Sequence, residues 1–233
     1  MTDPVLLGLT PFRTGTPQPP IEFTGPERYS PGDEAALRAD AAPIIARYPQ
    51  ARSALLPLLH LVQAHDGYVT RAGVRFCADL LELTPAQVAS VATFYSMYRR
   101  TPTGTHLVGV CTTTLCAVMG GDAILAELTD RLGVAPGETT DDGAVTLQRV
   151  ECNAACDFAP VVMVNWEFFD DQTPESAAAL VDDLRAGRPV CPSRGADSLC
   201  TFRENERLLA GAPPSQPAEP SSPPPEPIEG DER

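Results

Sequence analysis

Four of the seven cysteines stand at ligand spacing. Cys111 and Cys116 form a C-x4-C pair, Cys152 and Cys156 form a C-x3-C pair, and 35 residues separate the two; Cys77, Cys191 and Cys200 stand apart. Three chemistries compete for such a set. Structural zinc takes four sulfurs from pairs separated by two to four residues, which fits the counts loosely. A thiol-disulfide oxidoreductase needs C-x-x-C at a helix start, and neither pair has that spacing. A 2Fe-2S cluster takes two thiolates per iron inside a mostly apolar loop whose backbone N–H groups point inward. The flanking residues favour this last reading. Thr112, Thr113 and Thr114 supply donors, Ala117, Val118, Met119, Ala154, Ala155, Phe158 and Ala159 give a dry surround, and no histidine adjoins either pair.

An oxidised cluster with four thiolates carries about −2 and a reduced one about −3, so burial without cationic neighbours disfavours reduction. Glu151 and Asp157 adjoin ligands. At about 10 Å and an effective dielectric of about 20, one such carboxylate contributes roughly 1.7 kcal/mol, or about 70 mV for one electron. A low-potential centre is expected.

The elements that must position these thiols can be read from the pattern. Thr105 to Val110 reads as a strand running into Cys111, and Ala144 to Val150 as a second strand ending beside Cys152. Each pair therefore lies in a loop just past a strand. Ile124, Leu125, Leu128 and Leu132 mark a helix that stops at Gly133, Val161 to Val164 a buried strand, Asn165 to Asp170 a hairpin return, and Thr173-Pro174-Glu175 the start of a last helix ending near Gly187. That order is the order of a thioredoxin-like α/β domain. Ahead of it, four short helices predict a small bundle. The first is capped by Ser30 and kinked or divided at Pro43, the second runs from a Ser53 cap to Gly67, the third covers about 72 to 81, and the fourth opens on the Thr84-Pro85-Ala86-Gln87 capping box.

Composition trims the ends. Of 25 prolines, seven lie in residues 1–31 and eight in 211–233, leaving a body of ordinary proline content. The expected organisation is α+β: an extended arm over 1–29, a helical bundle over 30–100, a thioredoxin-like 2Fe-2S domain over 101–190, a C-terminal extension over 191–210 and a disordered acidic tail over 211–233. Seventeen basic against 31 acidic residues give a net charge of −14, which repels phosphate backbones and argues against nucleic-acid binding. No apolar run reaches about 18 residues and no basic leader opens the chain, so a cytoplasmic chain without membrane insertion is expected.

The motifs YPQARSALLPLLHLVQAHDGYV, LTPAQVASVATFYSMY, VGVCTTTLC, GETTDDGAVTLQRVECNAACDFAPVVMVN and TPES, in this order, resemble the 24 kDa subunit of bacterial NADH-quinone oxidoreductase, respiratory complex I. The likeness covers about residues 45–187. It implies a thioredoxin-like 2Fe-2S ferredoxin domain in which Cys111, Cys116, Cys152 and Cys156 are the four ligands of one cluster. It also implies a flavoprotein partner that binds FMN and NADH, a further iron-sulfur partner in the peripheral arm, and a place at the cytoplasmic face of the membrane. The chain by itself would hold no complete active site. Similar chains serve NAD-linked hydrogenases and formate dehydrogenases, and a zinc scaffold is the reading from a different class. Two departures stand out. Val118-Met119-Gly120 replaces Leu-Arg-Gly and removes a cation from the first loop, and Asn153-Ala154 replaces Leu-Gly in the second, so that a positive φ there would strain Ala154 by about 1–2 kcal/mol.

Other residues carry plainer expectations. Cys77 lies on an apolar helical face and reads as core, with Cys191 and Cys200 as bystanders. His60 and His65, five apart, miss the spacing of a helical metal pair and read as packing or surface residues. Thr93-Phe94-Tyr95 could form a partner contact, but aromatic residues at a helix end are more often core, and core is expected. Gly120-Gly121 lacks the frame of a nucleotide-binding loop.

Overall fold

The computed structural model describes residues 22–213. The N-terminal arm is thus described only from Glu22 and the acidic tail only to Pro213; the rest of both expectations lies outside the described residues.

The bundle is built from α1 (Pro31–Ile45), α2 (Leu55–Asp66), α3 (Arg71–Leu81) and α4 (Pro85–Phe94). Ser30 and Thr70 cap α1 and α3 by accepting N–H bonds from Asp33 and Gly73, and the Thr84–Gln87 capping box opens α4 as its sequence predicts. Two details differ from the sequence reading. Pro43 sits in the last turn of α1, where it ends the helix rather than dividing it. Ser53 caps nothing: it falls within a 3₁₀ turn, Ala51–Ala54, that leads into α2. Leu58, Leu59, Leu61 and Val62 of α2 are fully buried, which makes it the central helix of a core with Leu37, Ile44, Val74, Phe76, Leu81 and Val88. The arm residues Phe23 and Tyr29 pack against this core, and the Arg71 N–H donates to the Thr24 carbonyl at 2.9 Å.

The second module is a mixed four-stranded sheet in the order β2-β1-β3-β4, with β1 (His106–Cys111), β2 (Val145–Val150), β3 (Val162–Val164) and β4 (Glu167–Phe169). β1 runs parallel to β2 and antiparallel to β3. Val108 and Val110 of β1, Val145 and Leu147 of β2, and Val162 and Val164 of β3 alternate onto one face, where they share a core with Ile124, Leu125 and Leu128 of α6 (Gly121–Leu132) and Leu180, Val181 and Leu184 of α7 (Pro174–Arg185). A five-residue helix, α5 (Thr114–Val118), lies inside the first cysteine loop. Asn165 and Trp166 both take left-handed φ, 49° and 73°, as a two-residue hairpin turn between β3 and β4 requires.

The chain then returns to the bundle. α8 (Phe202–Leu209), opened by a Thr201–Glu204 capping box, packs along α2. Arg203 donates to the carbonyls of His65 and Asp66 at 2.6 and 3.1 Å and so covers the carbonyl end of α2. Glu206 is completely buried. Its carboxylate meets Nδ1 of His60 at 2.6 Å on one oxygen and accepts from Trp166 Nε1 at 3.1 Å on the other, so one side chain of α8 bonds both modules. The Phe202 N–H donates to the Thr105 carbonyl at 2.8 Å, and Asn165 Nδ2 donates to the Cys200 carbonyl at 2.8 Å. The 191–210 extension therefore contains the clasp between bundle and sheet.

Candidate metal centre

Parallel pairing of β1 with β2 brings the two cysteine loops to the same end of the sheet. Cys111 is the last residue of β1 and lies opposite Val150, the last of β2, so Cys152 follows two residues beyond that register position. The Cys111 N–H donates to the Val161 carbonyl at 3.1 Å and the Thr112 N–H to the Val150 carbonyl at 3.4 Å, which holds the loop against its neighbours. α5 then returns Cys116 inward. Cys111 and Cys116 are each 2% exposed, whereas Cys152 and Cys156 face solvent.

The thiols converge as two pairs. Sγ of Cys152 and Cys156 lie 3.5 Å apart as free thiols, and Cys111 adjoins Cys116. Burial, then the neighbouring thiols, push the Cys116 thiol above the ordinary range, against a Val161 N–H that acts in the other direction. Cys152 beside it raises Cys156 likewise. Among the described residues no three or more His, Cys, Asp or Glu side chains come together as tightly as a single metal ion needs. Two adjoining pairs of sulfurs offer two thiolates to each metal of a binuclear group.

The surround fits such a group. Cys111, Cys116, Ala155, Ala159 and Val161 form a small apolar cluster with Val150 and Phe168 against it. The Ala154 N–H donates to Cys152 Sγ at 3.4 Å, and Ala154 takes a left-handed φ of 56°, the strained conformation that its sequence raised. Gly121 belongs to the cradle: a Cβ there would collide with the Cys111 carbonyl oxygen and stand 2.9 Å from that of Cys116. Gly121→Ala is expected to lower stability by about 1–3 kcal/mol through this overpacking. Urea unfolding of the full chain measures it, and a change under about 0.5 kcal/mol would rule out the tight approach.

Two arginines lie on the flanks of the cysteine loops, each paired with a carboxylate. Arg149 of β2 donates to the Thr112 hydroxyl at 3.1 Å, beside Cys111, while pairing with Asp122 at 3.5 Å. Arg194 lies over the rings of Phe158 and Phe168, with its carbon 5.0 and 4.4 Å from their centroids, and pairs with Asp170 at 3.0 Å. The first loop lacks an arginine of its own, and Asp122 and Asp170 offset the charges of these two.

The remaining expectations divide. Cys77 is completely buried, with its thiol pushed up to about 12, and Cys191 and Cys200 lie in the segment before α8. His60 packs against Glu206 and His65 against Asp66. Phe94 and Tyr95 are not core: they are 80% and 45% exposed, because α4 ends at Phe94 and turns both rings outward. A rim of Leu115, Val118, Met119 and Phe158, all exposed, adjoins the thiols. Apolar side chains so placed mark a surface suited to a partner.

The model of the thioredoxin-like [2Fe-2S] ferredoxin family matches residues 41–185, which span all four cysteines. The chain belongs to that family. An NADH-quinone oxidoreductase subunit of Mycobacterium tuberculosis is 61% identical over 219 residues, 93% of this chain and 85% of that one. Subunit 2 of the Thermus thermophilus NADH-quinone oxidoreductase is 40% identical over 146 residues, 61% of this chain and 81% of its own length. Among solved structures, an NAD+-reducing [NiFe]-hydrogenase in the air-oxidized state superposes with a TM-score of 0.52 at 20% identity, over 57% of this chain and 23% of that chain. This last likeness is one of fold, and the matched region is about a quarter of the hydrogenase chain. Among the described residues no helix is long and apolar enough to cross a membrane.

Proposed function

We propose that the chain is the 2Fe-2S subunit of an NADH-quinone oxidoreductase, with Cys111 and Cys116 on one side and Cys152 and Cys156 on the other as ligands of one cluster. The observation that carries this reading is the arrangement of four free thiols as two adjoining pairs at one end of the sheet. The cluster, when bound, supplies a one-electron carrier. The chain's own part is to hold the sulfurs, exclude water with Ala155, Ala159 and Val161, and direct N–H groups such as that of Ala154 at sulfur.

The electron donor belongs to another chain. A flavoprotein partner carrying FMN and NADH would dock on the rim of Leu115, Val118, Met119 and Phe158, with a second iron-sulfur protein of the peripheral arm beside it. The 61% identity to the mycobacterial oxidoreductase component, across most of the chain, supports this assembly at the cytoplasmic face of the membrane. Anaerobic purification followed by iron, sulfide and zinc assay, with EPR after dithionite reduction, tests the centre. Iron and sulfide near two each and an EPR signal of the reduced cluster are expected. Stoichiometric zinc without sulfide would overturn the reading. Co-purification with an FMN-containing chain tests the partner, and capture of hydrogenase components instead would reassign the assembly.

A further inference from the structure

Asn153 lies between Cys152 and Ala154, and its side-chain nitrogen Nδ2 is shut off from solvent with no acceptor. A donor shut off from water and left without an acceptor is destabilising. Among the described residues the fully buried amides find their partners. Gln63 donates to the Met97 carbonyl at 3.0 Å and accepts from the Arg99 N–H at 2.6 Å, while Asn165 accepts from the Leu107 N–H at 2.8 Å and donates to the Cys200 carbonyl at 2.8 Å. The other two orphaned side-chain nitrogens among the described residues are the Nε atoms of Arg99 and Arg194. The Arg194 guanidinium still pairs with Asp170 through another nitrogen. Asn153 alone of the three stands beside the thiols.

The amide belongs to the residue between Cys152 and Ala154, in the loop that carries the second thiol pair. The loop already directs one donor at sulfur through the Ala154 N–H, from a backbone turn that holds Ala154 at a φ of 56°.

We propose that Asn153 is a positioning residue whose side-chain N–H donates to sulfur of the bound cluster and raises its reduction potential. This rests on the reading that the four thiols hold a 2Fe-2S cluster. Its sign follows from charge: a donor stabilises the reduced cluster, at about −3, more than the oxidised one at about −2, so removing the donor makes the potential more negative.

The test uses the full chain, purified anaerobically with its cluster. Asn153→Leu keeps the branched shape and deletes the donor. Iron and sulfide are assayed first, and wild type lacking both would overturn the cluster reading itself. With clusters present, an EPR-monitored redox titration is expected to show the variant about tenfold harder to reduce, which is about 59 mV for one electron. ENDOR in deuterated buffer should show one exchangeable proton coupling fewer. Equal potentials and equal couplings in variant and wild type would overturn the inference and leave the cluster reading intact. If the variant assembles no cluster, wild type grown with asparagine labelled with ¹⁵N at its amide decides: a nitrogen coupling to the reduced cluster supports the donor, and its absence rejects it.

Discussion

Cys111→Ala and Cys156→Ala are each expected to reduce bound iron and sulfide to under about a tenth of wild type and to abolish the EPR signal of the reduced protein. The two residues come from different pairs and different settings, Cys111 closed in at the end of β1 and Cys156 exposed at the start of a 3₁₀ turn. Two thiolates per metal leave no spare ligand in either pair. The burial that raises the Cys116 thiol also means that the apoprotein holds it protonated, so assembly releases protons and weakens as pH falls. Far-UV circular dichroism of both variants should match that of the apo wild type, since neither side chain carries the sheet pairing. Cys191→Ala and Cys200→Ala should keep full clusters. Unchanged EPR in both Cys111→Ala and Cys156→Ala would reject these ligands.

Glu206→Ala should cost about 3–5 kcal/mol of stability, because it strips the shared acceptor from two side chains in separate modules. His60 and Trp166 both lose their partner, and a cavity opens at a completely buried position. Glu206→Gln keeps an oxygen for Trp166 Nε1 and offers its amide N–H to His60 Nδ1, which accepts when the ring proton sits on Nε2, so it should lose only about 1 kcal/mol. Urea unfolding measured on the apo chain separates the two. Equal midpoints for Glu206→Ala and wild type would show that the Glu206 bonds to His60 and Trp166 contribute no net stability.

The legible parts of the molecule were those whose signal is local. The cysteine spacing located the thiols, the Thr84–Gln87 box located α4, and short apolar runs located β1 and β3. α8 escaped because half of FRENERLL is charged and the only residue it buries as deeply as Phe202 is a glutamate, so hydrophobic periodicity had little to find. The one available signal was Thr201-x-x-Glu204, a capping box. Arg149 escaped for another reason. Its proximity to Thr112 is a product of β1–β2 register, and the two residues lie 37 positions apart in the chain. Phe94 and Tyr95 read as core because aromatic rings usually are, whereas the end of α4 turns them out. Strain at Ala154 could be named from the sequence only as a condition, since the φ that decides it belongs to the folded loop.

The clasp also sets an order of events at the ribosome. His60 and Glu206 are separated by 146 positions, so at about 5–20 residues per second roughly 7–30 s pass between synthesis of one and synthesis of the other. Within that interval Cys111, Cys116, Cys152 and Cys156 are all made, while α2 still lacks the helix that covers its outer side. The nascent chain is thus supplied with its thiols before it can close its bundle. Truncation before α8 would release a product with these four sulfurs present and an uncovered helical face, a species for chaperones and proteases rather than for assembly.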